Sequence, residues 1–108
     1  MYTQTSSYDV ISKIAGFDWD AHNRAKCQKH GVSLAGIESV FSGTLMIRPD
    51  WVHADREERF HGIGKTAAGR HLFLVFTFRT LRGGRMIRPI SARYMHLKEV
   101  RHYEDETP

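Results

Sequence analysis

The run Leu72-Phe73-Leu74-Val75-Phe76-Thr77-Phe78 constrains the fold more than any other part of the sequence. It is apolar at nearly every position yet far too short to cross a membrane as a helix. A strand of this composition has no polar side to offer water. The segment Arg70–Arg79 is therefore expected to be the central strand of a sheet, covered on both faces. Its neighbours follow from the turn signals around it. Glu57–Gly64 reads as the preceding strand, joined through Ala67-Ala68-Gly69. Gly83-Gly84 supplies the positive dihedrals of a tight hairpin. Arg85–Ala92 reads as the following strand, in which Pro89 argues for an edge or a bulge. Leu45–Ile47 is a further strand that Pro49 ends or places at an edge, and Pro49–Arg56 reads as a loop.

The first half of the chain reads differently. Ile14–Trp19 is expected to be a short strand. Asp18 or Asp20 can cap a helix running to about His30, and Gly31 suits its left-handed C-terminal position. The apolar side of this helix is weak, made of Ala21, Ala25 and Cys27, while Asn23, Lys26 and His30 recur at helical spacing as a polar stripe. Ser33 can cap a second helix in which Leu34, Ile37, Val40 and Phe41 share a face. A last helix from about Arg93 to Tyr103 is expected to pack Leu97 and Val100. Strand, two helices, three or four antiparallel strands and a helix make an α+β fold. A single domain is expected over residues 14–104, with a flexible extension at 1–13, frayed over 1–8, and a tail at 105–108.

Composition removes several function classes. Cys27 is the only cysteine among 108 residues, so no intramolecular disulfide can form and a reducing, cytoplasmic setting is expected. No membrane-spanning or signal-like run is present. The formal charge of +4 is unevenly spread. Residues 1–60 hold seven Lys/Arg against eight Asp/Glu, whereas residues 61–108 hold nine against four. From Arg79 to Arg101 there are seven basic residues and one acid, Glu99. Such a field attracts polyanions.

Strand alternation aims these charges. Glu57 and Arg59 should share one face, and Glu58 and Phe60 the other. Arg79 shares a face with Thr77 and Val75. Arg93 is expected where the last strand passes into the last helix. Guanidiniums fixed at strand ends offer planar, bidentate donors to phosphate. Each also has a structural reading: Arg59 can pair with Glu57 or Glu38, and Arg79 can cap the sheet rim. Metal-free RNA cleavage needs a base for the 2′-hydroxyl, an acid for the leaving 5′-oxygen, and positive charge on the phosphorane. Lys29-His30-Gly31-Val32 ends the first helix with two basic groups, and an unperturbed imidazole titrates near neutrality. A histidine there also serves simply to stabilise the helix dipole. Glu58 is a candidate base, and Lys26, Lys29, Arg59, Arg79 and Arg93 are candidate sources of charge. Gly62-x-Gly64 is too short for a nucleotide fingerprint, and neither His53-x-Asp55 nor Cys27 with His30 completes a metal set.

Phe17-Asp18-Trp19-Asp20, Asn23 and Lys29-His30-Gly31-Val32-Ser33 resemble the opening of the BrnT family of toxin–antitoxin ribonucleases. Val40-Phe41, Glu57-Glu58-Arg59-Phe60 with Gly62 and Gly64, Thr77 with Arg79, and Ile87-Arg88-Pro89-Ile90-Ser91-Ala92-Arg93 with Glu99 and Tyr103 continue the resemblance. It implies a RelE-like fold and a metal-independent endoribonuclease, without cofactor, that inhibits translation. It also implies neutralisation in a hetero-oligomer with a BrnA-like antitoxin, through which alone DNA would be contacted. Catalytic roles carried over from it fall on Lys29, His30, Glu58, Arg59, Arg79 and Arg93, and RNA-binding roles on Lys26, Arg82, Arg85 and Arg88. Two other readings stay open: a non-catalytic nucleic-acid-binding or regulatory module using the same basic face, and an inactive remnant that only binds a partner.

Overall fold

The computed structural model describes residues 3–5, 13–50, 52 and 57–106. Their elements are β1 (Thr3–Thr5), β2 (Gly16–Phe17), α1 (Ala21–Gln28), α2 (Leu34–Val40), β3 (Leu45–Pro49), β4 (Phe60–Lys65), β5 (His71–Leu81), β6 (Gly84–Tyr94) and α3 (Leu97–Glu106). One six-stranded sheet has the order β1-β3-β4-β5-β6-β2. The run β3 to β6 is the expected antiparallel meander. β1 is antiparallel to β3, and β2 runs parallel to β6. The fold is α+β.

β5 is central, as its apolar run requires, but its burial alternates. Leu72, Leu74 and Phe76 are fully buried, while Phe73, Val75 and Phe78 are half-buried. The expectation of complete cover on both faces is therefore corrected. The buried face packs against α2 and its C-terminal Phe41, whose ring meets Phe76 edge-on at 5.2 Å and Phe17 at 5.6 Å. The other face receives polar-tipped groups instead. His61 lies 5.1 Å from Phe73, the Arg93 guanidinium stands 5.0 Å over the same ring, and Tyr103 of α3 is 6.2 Å from His71.

Gly62 and Gly64 have a packing role. A Cβ on Gly62 would stand 3.0 Å from Phe76 Cε1 and 3.2 Å from Leu45 Cδ1. A Cβ on Gly64 would stand 2.6 Å from Val40 Cγ1. The pair lets α2 and the aromatic core sit directly on β4.

Several boundaries shift for identifiable reasons. The β5–β6 hairpin turns on Arg82 (φ 51°) and Gly83 (φ 78°), one residue earlier than expected, with Leu81 and Gly84 as its last pair. Gly84 is needed as glycine within the strand, because its Cβ would lie 2.8 Å from that of Ala15. Pro89 sits at a bulge inside β6: Phe76 pairs with Pro89 and Val75 with Ser91, leaving Ile90 as the extra residue. Pro49 closes β3, which lies inside the sheet and not at its edge. β4 begins at Phe60 instead of Glu57. β6 runs on through Arg93 to Tyr94, so α3 starts at Leu97 and includes 105–106, which were expected in the tail. Leu97 is 66% exposed and does not pack as expected, whereas Val100 is half-buried. Thr3–Thr5, expected to fray, pair with Leu45–Ile47. Most of the Pro49–Arg56 loop and residues 6–12 of the N-terminal extension lie outside the described residues.

α1 is capped by Asp20, whose carboxylate accepts from Asn23 N at 2.9 Å while Asn23 Oδ1 accepts from Asp20 N at 2.7 Å. Lys29 is its C-cap and Gly31 takes φ 83°. The polar-stripe reading is corrected in part: Asn23 is buried beside Cys27, while Ala21 and Ala25 are exposed. Ser33 caps α2 through Gly36 N at 2.9 Å, and Ile37, Val40 and Phe41 are fully buried. Gly64→Ala is expected to cost about 1–3 kcal/mol through overpacking against Val40. Combined with Val40→Ala it should cost less than the two single changes added together, as read from urea denaturation midpoints.

Candidate functional site

The β5–β6 register brings the basic strand residues together. Arg79 and Thr77 alternate onto one face of β5, and Arg88 pairs across from Thr77. Phe60 opposite Phe76 places Arg59, one residue before β4, beside them. α1 supplies His22 and Lys26 one turn apart. The result is a cleft of about 150 Å³ lined by His22, Lys26, Glu57, Arg59, Arg79 and Arg88, with Asn23 and the Pro89-Ile90 bulge at its base.

Three carboxylates organise the three arginines. Glu57 lies between two of them, Oε1 3.8 Å from Arg59 Nε and Oε2 4.0 Å from Arg79 Nη2. Asp18 Oδ2 stands 3.8 Å from Arg79 Nη1 and 3.3 Å from Arg88 Nη1. Asp20 Oδ2 lies 2.8 Å from Arg88 Nη2. Arg88, with a side chain only 12% exposed, is thus a clamp between β6 and the start of α1. Arg79 is different: its side chain is 44% exposed and its carboxylate neighbours stand at 3.8–4.0 Å, so its donors face the cleft largely unspent. Arg59 Nε is buried and makes no hydrogen bond among the described residues. Of the two structural partners considered for Arg59, Glu57 is the one nearby, while Glu38 accepts from Trp19 Nε1 at 2.8 Å.

Asn23 fixes the cleft wall. Its Nδ2 donates to Asp18 O at 2.9 Å and to Pro89 O at 2.9 Å. The side chain so joins the end of β2, the first turn of α1 and the bulge of β6. The Asn23 N–H and then Arg88 hold the Asp20 carboxyl below the usual carboxylate range.

The remaining sequence candidates lie apart from this cleft. Lys29 and His30 are exposed at the end of α1, beyond Lys26, and are not among the residues lining it. Glu58 and Arg85 line a neighbouring hollow with Phe60 and Phe78. Arg82 is exposed at the hairpin tip. Arg93 pairs across from Phe73, six residues along β5 from Arg79, a separation of roughly 20 Å. It forms a bidentate pair with Glu99, at 2.7 and 2.9 Å, instead of joining the cleft. Cys27 is fully buried and burial pushes its thiol up to about 11, so it holds no thiolate for nucleophilic or metal chemistry, and it is not paired with exposed His30 in a metal site. Sequence reasoning overlooked His22 and Glu57 as lining residues. The signals were present: His22-x₃-Lys26 at helical spacing, and Glu57 on the same parity as Arg59.

Two expected outcomes test this scaffold. Asn23→Asp places a carboxylate against the carbonyls of Asp18 and Pro89, and should cost about 3 kcal/mol or more in equilibrium unfolding. Glu99 also accepts from His96 N at 3.0 Å and is drawn down to about 2, first by Arg93. A depressed folded value means the pair contributes above the ordinary carboxyl value of 4.5 and loses its contribution as pH falls toward 2. Both partners are more than a third exposed, so Glu99→Gln should cost only about 1 kcal/mol or less at pH 7. The gap in melting temperature from wild type should close between pH 4.5 and 2.

No helix among the described residues is long and apolar enough to cross a membrane. None of the curated proteins matches the chain. A family model described as "Ribonuclease toxin, BrnT, of type II toxin-antitoxin system" matches residues 19–99, a segment that takes in α1, the meander and every residue lining the cleft. That is three quarters of the 108 residues, and the chain belongs to the BrnT family of ribonuclease toxins of type II toxin–antitoxin systems.

Proposed function

We propose that this BrnT-family chain is a RelE-like, metal-independent endoribonuclease that inhibits translation in the cytoplasm, and that the cleft between α1 and the β5–β6 face is where RNA is cut. The observation that carries the reading is the convergence of Lys26, Arg59, Arg79 and Arg88 on one small cleft that also holds His22 and Glu57. A phosphodiester seated against Arg79 and Arg59 has its non-bridging oxygens facing planar donors. The 2′-hydroxyl attacks the adjacent phosphorus as Glu57 takes its proton, and a pentacovalent phosphorane forms. His22 protonates the 5′-oxygen as its bond to phosphorus breaks, leaving a 2′,3′-cyclic phosphate and a 5′-hydroxyl. The guanidiniums stabilise the charge that develops on the phosphorane, in a site already arranged for it. Lys29 and His30 extend the basic rim beyond Lys26 and act on the RNA backbone outside the scissile position.

A BrnA-like antitoxin is the partner that this reading requires, in a hetero-oligomer that covers the cleft or holds RNA away from it. DNA is contacted only through that partner.

Purified, antitoxin-free protein should cleave RNA in EDTA, and a 2′-deoxy substitution at the cut position should abolish cleavage there. Arg79→Ala should lower kcat by ~10²–10³. His22→Ala should lower it by ~10²–10⁴ and remove one limb of the pH–rate profile, whereas His30→Ala should mainly raise KM. Binding without any cleavage, weakening steeply with salt, would replace this reading with the non-catalytic module.

A further inference from the structure

Beside the cleft, and sharing Glu57 with it, lies a larger hollow of about 430 Å³ lined by Glu57, Glu58, Phe60, Thr77, Phe78 and Arg85 among others. Its size falls in the range of roughly 300–1,000 Å³ that holds a small organic ligand, which the 150 Å³ cleft does not reach. Its walls combine three kinds of chemistry. Phe60 and Phe78 meet at 5.5 Å with rings inclined at 67°, and both are only half-buried. The Arg85 guanidinium lies 4.1 Å over the Phe78 ring, a flat cation already stacked on an aromatic face. Glu58 is exposed and has no ion-pair partner among the described residues.

That last feature decides what the hollow can hold. A carboxylate without a cationic partner repels phosphate, so the hollow is not a second backbone site. A base is different, since its faces stack on aromatic rings and guanidinium planes while its edges carry donors and acceptors. A carboxylate accepts two parallel hydrogen bonds, and among the four RNA bases only guanine offers two adjacent donors on one edge, N1–H and N2–H. Guanine also offers the O6/N7 acceptor pair that arginine recognises.

We propose that this hollow is a nucleobase subsite that takes the base next to the scissile phosphate and selects guanine, with Phe60 and Phe78 as the stacking wall, Glu58 on the N1–H/N2–H edge and Arg85 on O6/N7. The proposal rests on the neighbouring cleft being the phosphate site. It gives a role to an acid that has no ion-pair partner among the described residues, and it turns Glu58 from a proton acceptor into a specificity residue.

The test is fluorescence anisotropy with labelled UUGUU, UUAUU, UUCUU and UUUUU pentamers, each 2′-O-methylated throughout so that none can be cut. The G pentamer should bind about tenfold more tightly than the others. Inosine in place of guanine, which lacks N2–H, should lose much of that preference. Glu58→Gln should bring G down to the level of the other bases, and Arg85→Ala should weaken G more than U. Equal binding of all four pentamers, absence of binding, or a G preference that survives Glu58→Gln would overturn the proposal. The readout does not involve cleavage. A protein that prefers G but leaves RNA intact in EDTA would retain the subsite and lose the catalytic reading, while cleavage without base preference would do the reverse.

Discussion

The two hydrogen bonds donated by Asn23 Nδ2 hold together everything on which the cleft depends. One ends on Asp18 O, the other on Pro89 O, 66 residues beyond Asn23 itself. They add a buried, side-chain tie at the point where β2, which already pairs with β6, passes into α1 beside the β6 bulge. A buried amide that satisfies both of its donors and its acceptor in this way is both stabilising and exacting, since no other side chain of its size carries the same pattern. Arg88 reinforces the same junction from outside, bridging Asp18 and Asp20 at 3.3 and 2.8 Å. The cleft is therefore a by-product of how the N-terminal segment is fastened to β6.

Arginine does two separate jobs in this small molecule. Arg88 is a fastener, already committed to two carboxylates. Arg93 is a second fastener at the far end of the sheet, where Glu99 ties it to the first turn of α3. Arg79, held only at 3.8–4.0 Å, keeps capacity for a ligand in the cleft, as does Arg59, whose Nε makes no hydrogen bond among the described residues. Counting basic residues along the sequence treats these as equal. Their carboxylate partners distinguish them, and the single acid in the Arg79–Arg101 stretch is the one that holds Arg93 at the far end of the sheet, where the strand register already places it.

Much of the architecture was legible in the sequence because it rests on local signals. The Leu72–Phe78 run marked the central strand, Ser33 and the pair Asp18 or Asp20 marked helix starts, and Pro89 marked an edge or a bulge. Boundaries that depend on distant partners were not legible. β6 outruns its expected end because β5 continues to pair with it as far as Tyr94. Asn23 looks like a surface residue until Pro89 O is known to lie above it. Of the site, the shared faces of Glu57 with Arg59 and of Thr77 with Arg79 followed from strand parity. His22 and Glu57 were obscured because their neighbours, the basic helix end and Glu58, carry louder versions of the same chemistry.

The parallel pairing of β2 with β6 has a consequence for the life of the chain. Gly16 and Phe17 are made early, but their strand partners are Met86 and Ile87. The wall bearing Asp18, His22 and Asn23 thus waits for nearly the whole polypeptide before it meets Arg79 and Arg88. A chain broken off anywhere before β6 has no cleft at all. On the proposed reading of the cleft as the place where RNA is cut, that order of assembly would keep the nascent chain inactive until synthesis is almost complete.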